Sequence, residues 1–181
     1  LWSLVCLPVF GLSQTPYFLT IESAPAVAVD GTVYRFYVQS ETATDKISAV
    51  FGTNEDPLVI DTPEGIFNSS FNASWSASGI NPAFLAMVPE LADDSYATIG
   101  LEGPASTSGI EGAADPSIVE DESLALTVSE YFVAGGTELV VNTVIGASWY
   151  VLNTATNALP IDGRWLVAQV TTSGDISGQL N

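Results

Sequence analysis

Carboxylates are the main chemical resource of this chain. It holds 21 Asp and Glu against three cations (Arg35, Lys46 and Arg164), no histidine and one cysteine, Cys6. Two acids facing each other across a glycosidic bond can hydrolyse it, one as acid and the other as base or nucleophile. With 21 carboxylates such pairs arise by chance on any surface, so the count assigns no active site. The absent residue types say more. Without His, and with Cys6 in a segment read below as a removable leader, Ser-His-Asp and Cys-His schemes, His-ligated zinc and haem are excluded. There is also no G-x-S-x-G elbow, phosphate-binding loop or dinucleotide fingerprint. The chain reads as a non-enzyme, and the surviving catalytic alternative is a fragment of a carboxylate-based glycoside hydrolase.

Carboxylates clustered with carbonyls suit Ca²⁺, a hard cation that takes many oxygen ligands from flexible loops. Asp93 and Asp94 are the candidate pair, because adjacent acids between Leu91 and the run from Tyr96 must tolerate mutual repulsion. Asn54-Glu55-Asp56, Asp115 and Glu120-Asp121-Glu122 are the other acidic clusters. None has the spacing of an EF-hand or nonapeptide loop, and a solvated loop charge is the competing explanation at each. Ca²⁺ is the one cofactor the pattern admits.

Trp75, Trp149 and Tyr150 are the candidate ligand-binding aromatics, since flat rings match the apolar faces of sugars. Trp149 and Trp165 each fall in an alternating run, where aromatics normally fill a core. Trp75 lies in the polar stretch Asn72-Ala-Ser-Trp75-Ser-Ala-Ser-Gly79 and is the one expected to be exposed. The same region holds the sequons Asn68-Ser69-Ser70 and Asn72-Ala73-Ser74, which carry a glycan only in a eukaryotic source; none is expected.

The net charge of -18 repels phosphate backbones, because nucleic-acid binding needs clustered Lys and Arg to displace counterions. Polysaccharide or other surface proteins are the partners left open. A protein kept soluble in salty surroundings, where charges are screened beyond about 8 Å, accounts for the acidity without any ligand.

The positioning elements begin after a leader. Residues 1–13 are apolar and uncharged and close on the small-x-small triplet Gly11-Leu12-Ser13, as at the cleavage site of a secretory signal. The run is shorter than the roughly 20 residues a membrane span needs. It starts without Met or a basic n-region, so it reads as a signal-peptide remnant. Secretion to the extracellular space or cell surface follows as the expectation, with no membrane insertion after cleavage and no thiol in the mature part. Residues 14–181 suffice for one domain without covalent staples.

Period-two and β-branched runs recur between clusters of Gly, Pro, Asn and Asp, and no stretch carries a sustained helical stripe. Strands are expected at 17–22, 32–39, 46–51, 58–60, 84–88, 96–101, 124–128, 138–143, 148–152, 165–171 and 176–180. Within 32–39, Tyr34, Phe36 and Val38 share one face and Val33, Arg35 and Tyr37 the other, as in a strand with one packed face, so Arg35 is expected outward. Asp30-Gly31 and Ser173-Gly174-Asp175 look like hairpin turns. The fold class is all-β, an antiparallel β-sandwich of two packed sheets, with a jelly roll as one fitting arrangement. Residues 102–122 lack strand patterning and are expected as a long loop, in which Ser117-Ile-Val-Glu120 offers a capping box for a short helix. The last residues stop inside an extended pattern, so truncation is expected at the C-terminus.

The run Gly146-Ala-Ser-Trp149-Tyr-Val-Leu-Asn153, followed by Leu159-Pro160, Arg164-Trp-Leu-Val-Ala168-Gln169-Val-Thr171-Thr172-Ser-Gly174 and Gly178-Gln-Leu-Asn181, resembles poorly characterised β-sandwich-like segments. Those occur in large secreted and surface proteins of Bacteroidota-type bacteria, often with type IX secretion sorting domains. The resemblance implies an exported surface or matrix protein and brings no catalytic residues with it. The expected function is a secreted, non-catalytic structural or adhesive module. A Ca²⁺-assisted carbohydrate-binding module is the alternative.

Overall fold

The computed structural model describes residues 17–181. The leader expected at residues 1–13, and Cys6 within it, lie outside them. The ten strands among the described residues are β1 (Tyr17–Pro25), β2 (Thr32–Ser40), β3 (Ala49–Gly52), β4 (Leu58–Asp61), β5 (Tyr96–Ala97), β6 (Ser117–Glu120), β7 (Glu138–Val141), β8 (Ala147–Tyr150), β9 (Arg164–Thr172) and β10 (Ser177–Gln179), with one α-helix, α1 (Val128–Ala134), between β6 and β7. The architecture is all-β and sandwich-like. Its strands divide among three antiparallel sheets, ordered β1-β2-β9-β5, β10-β4-β7 and β3-β8-β6.

β9 is the centre of the largest sheet, and everything in it after Arg164 is buried. Its alternation is broken once. Phe36 of β2 lies opposite Ala168 and Tyr37 opposite Leu166, leaving Val167 as an extra residue in β9. Such a bulge shifts the two-residue period by one. Trp165, Val167, Ala168 and Val170 therefore all reach the main core, while Leu166 packs in a smaller cluster on the other face with Tyr37, Leu91 and Tyr96. Gln169 falls on that second face as well, bonded to Arg35 and Tyr96.

The main core draws on all three sheets and on Val128, Tyr131 and Phe132 of α1. In β2 the expected alternation holds, with Phe36 in the main core and Tyr37 in the second cluster. The outward face of β2 is nevertheless covered. The segment from Ala77 to Tyr96 packs over it, so Arg35 is half-buried, its Nε donating to Gln169 Oε1 at 2.8 Å.

Several local expectations are corrected. Where a strand is expected at 84–88, a 3-10 helix over Pro82–Phe84 runs into a turn at 85–87, because Asn81 caps the helix through its side chain and Pro82 fits its first position. Residues 124–128 lead into α1, whose N-terminus carries a reciprocal capping box between Thr127 and Glu130. At seven residues that helix is too short for a helical stripe to register. The capping-box pattern at Ser117–Glu120 is β6, which pairs with β8. Pro116 before it biases the preceding backbone toward extended geometry. The stretch 102–122 is thus a connection that contains a strand, and Glu120 accepts from the backbone N–H of Ser129 at 3.0 Å, serving the start of α1.

Candidate binding cleft

The aromatic candidates do not form a platform. Trp149 is fully buried, and its indole N–H donates to the carbonyls of Thr98 and Val167 at 3.1 and 3.2 Å. Its ring stands edge-on to Phe132. This corrects its candidacy as a ligand contact: β8 pairs on both sides, with β3 and β6, and turns Trp149 into the core. Tyr150, its neighbour, points to the opposite face as strand pleating requires and is half-buried. Trp75 is half-buried and packs against the main core. Trp165 is buried too, donating to the carbonyl of Ala158 at 2.7 Å.

Asp93 and Asp94 are not exposed loop acids. Both are buried. Asp93 accepts from the backbone N–H groups of Val27, Ala28 and Val29 at 2.7, 2.7 and 3.2 Å, clamping the turn between β1 and β2. Asp94 turns elsewhere, accepting from the N–H of Ser69 at 2.6 Å and from Asn72 Nδ2 at 2.7 Å. Burial pushes its carboxyl up to about 6 against the opposing pull of these donors. The two carboxylates act as internal acceptors for segments far apart in sequence. Asp121 is likewise engaged by Thr143 and Ser123, and Asp115 by the N–H of Ala105. Glu55 and Asp56 sit in a turn whose N–H groups donate to Thr53 Oγ1. Among the described residues no group of three or more acids converges to hold a metal ion.

A cleft of about 640 Å³ opens on the second face of the largest sheet. One wall is Tyr37, Leu166 and Arg164; the others come from Pro82 and Leu85, from Gly100–Pro104 and Ile110, and from Ile161 and Asp162. The guanidinium carbon of Arg164 lies 3.9 Å from the centroid of the Tyr37 ring. Arg164 also pairs with Glu22 of β1. Glu102, on the facing wall, lies 3.5 Å from Arg35. In a chain of net charge -18, Arg164 thus lines the cleft beside the carboxylates Glu102 and Asp162, and Arg35 reaches its wall through Glu102.

The turn that presents Asp162 has a local cause. Asp162 and Gly163 have φ of 53° and 77°, and Ile161 and Arg164 exchange backbone hydrogen bonds across them. Two consecutive left-handed residues make the tight hairpin that Asp-Gly favours, since Gly accepts positive φ freely and Asp tolerates it. The Asp162-Gly163 dipeptide is the signal that could have marked this rim from sequence. Nothing local marks the juxtaposition of Arg164 with Tyr37, which the β2–β9 pairing creates.

The cleft offers a planar cation, two acceptors and apolar walls of Pro82, Leu85, Leu101 and Ile161. That combination suits a ligand with an apolar face and a hydrogen-bonding edge. No family model, curated protein or solved structure matches the chain.

Proposed function

We propose that this chain is a secreted, non-catalytic adhesive or structural module that recognises a surface partner through the cleft beside β9. The observation that carries the reading is the Arg164 guanidinium stacked on Tyr37 in the cleft wall. A stacked guanidinium keeps its N–H groups in a fixed plane, which is a recognition device and does not supply a nucleophile or base. The two buried carboxylates, Asp93 and Asp94, are occupied as internal acceptors. Exported adhesion agrees with the leader pattern and with the surface-protein resemblance in residues 146–181.

A polysaccharide is the second partner class, favoured by the mixture of carboxylates, guanidinium and apolar wall in one groove. It would be held at the cleft and not on a tryptophan platform, because Trp149 is inside the core. The test is a glycan array and a retention assay on bacterial surface material with the wild type, Arg164→Ala and Glu102→Gln. Binding lost in both variants supports the cleft. Binding unchanged in both removes it, and release of reducing sugar would overturn the non-catalytic reading.

A further inference from the structure

The hydrogen-bonding groups along the cleft beside β9 are unequally available. Donors there are engaged inside the protein: the hydroxyl of Thr107 donates to the carbonyl of Pro104 at 3.2 Å, and that of Ser108 to the carbonyl of Ala105 at 2.8 Å. The N–H of Gly100 donates to the carbonyl of Leu166 at 2.8 Å. Arg164 is held by Glu22, and Arg35, behind the wall, by Gln169 and Glu102.

The acceptors are in a different position. The carboxylate of Asp162 is exposed at the rim and has no hydrogen-bond or ion-pair partner among the described residues, acting on Arg164 through its charge alone. Glu102, whose side chain is 62% exposed, meets Arg35 through Oε2. Arg35 and Arg164 together face Glu22, Glu102 and Asp162, which leaves a negative charge in excess at the cleft. The chain as a whole carries -18. A cation is steered toward such a surface by its total field and held where the local excess lies.

The walls select what carries the cation. Pro82, Leu85, Leu101, Ile110 and Ile161 are aliphatic or saturated, and the aromatic side chain of the lining, Tyr37, is only 5% exposed. Sugar rings are gripped by exposed aromatic faces, whereas aliphatic surface suits a methylene stem that ends in a charge. The volume of about 640 Å³ is ample for a long side chain and adjoining backbone.

We propose that the cleft takes a lysine side chain from an extended segment of a partner protein, with Asp162 and Glu102 binding the ammonium, the aliphatic wall covering the stem and Arg164 donating to a neighbouring backbone carbonyl. The assignment rests on the reading of this cleft as the recognition site. An ammonium has donors and no acceptor, so it matches a site whose acceptors remain available. Arg164 has N–H groups to spare for the carbonyl, because Glu22 engages it through Nη1.

Nuclear magnetic resonance titration of the full chain with a capped alanine-lysine-alanine tripeptide tests this. Saturable shifts are expected at residues 100–104 and 161–163, and none with the acetyl-lysine tripeptide. Asp162→Asn combined with Glu102→Gln should weaken binding about tenfold or more, the scale of a lost charged hydrogen bond. Asparagine tolerates the left-handed turn, so that variant keeps the rim intact. Asp175→Asn combined with Glu138→Gln removes the same charge from exposed sites outside the cleft and should leave binding unchanged. The proposal falls if the acetylated tripeptide binds as tightly or if the control pair weakens binding as much as the cleft pair. It also falls if a chitosan oligosaccharide binds and the tripeptide does not, which would make the ligand an amino sugar. Retention on bacterial surface material separates the two levels of the reading. Retention lost in Arg164→Ala without any tripeptide binding overturns the lysine assignment and leaves the cleft as the recognition site. Retention unchanged in Arg164→Ala, with the tripeptide bound as expected, keeps the lysine site and removes the cleft from surface recognition.

Discussion

The guanidinium carbon of Arg164 lies over the ring of Tyr37, 3.9 Å from its centroid, and joins the turn at Asp162-Gly163 to the face of β2. Tyr37 and Arg164 line the same cleft wall, and Arg164 is its more exposed part.

Arg164→Lys keeps the charge opposite Glu22 and removes the planar stack. An exposed cation–π contact contributes about 0.5–1 kcal/mol, and 1 kcal/mol corresponds to about 2–4 °C in a chain of this size. Thermal melts should therefore show a small shift for Lys or Ala. Partner retention at the cleft should fall at least tenfold in both. A lysine variant that binds like the wild type would remove the stack from the recognition argument.

Asp94 makes stability depend on pH in a definite direction. Its folded-state pKa of about 6 lies above the ordinary value of 3.8, so between those values the folded chain binds more protons than the unfolded one. Stability from this group is fully present below pH 3.8 and is lost as pH rises through about 6. The stability of the wild type relative to Asp94→Asn should fall as pH rises over that window. Denaturant melts at pH 4, 5, 6 and 7 measure it, and parallel curves would show that Asp94 does not titrate there.

Asp93→Ala leaves the N–H groups of Val27, Ala28 and Val29 without their acceptor. A loss of about 2–4 kcal/mol is expected, since each unmade buried hydrogen bond costs about 1–3 kcal/mol and the three are coupled. Amide exchange at these three residues should accelerate first. The melting temperature of the wild type should be the same with Ca²⁺ and with chelator, because a ligand bound only by the folded state would raise it. A drop on chelation would return the pair to metal binding.

Gln169 and Thr171 give contrasting outcomes on the same strand. The Gln169 amide donates to the carbonyls of Ala92 and Asp94 and accepts from Arg35 and Tyr96. Gln169→Leu should cost about 3 kcal/mol or more by stranding several buried groups. Thr171 is fully buried and its hydroxyl has no partner. Thr171→Val should be neutral or stabilising by about 1 kcal/mol, because it removes an unsatisfied polar atom at nearly constant volume. Urea midpoints for the two variants provide the check.

The readable parts of the sequence were those with local causes. Alternation in residues 32–39 specified which side chains share a face because strand pleating has a fixed period of two, and a chain with no His excluded imidazole chemistry in any fold. Tertiary structure alone decided the rest. A bulge at Val167 moved Gln169 off the face it would share with Trp165, and a second layer from residues 77–96 covered Arg35. Asp93 and Asp94 became buried acceptors because their donors lie 22 to 66 residues away. Pairing between distant strands and the solvation of a carboxylate are properties of neighbours in space, which no local period of residue types records.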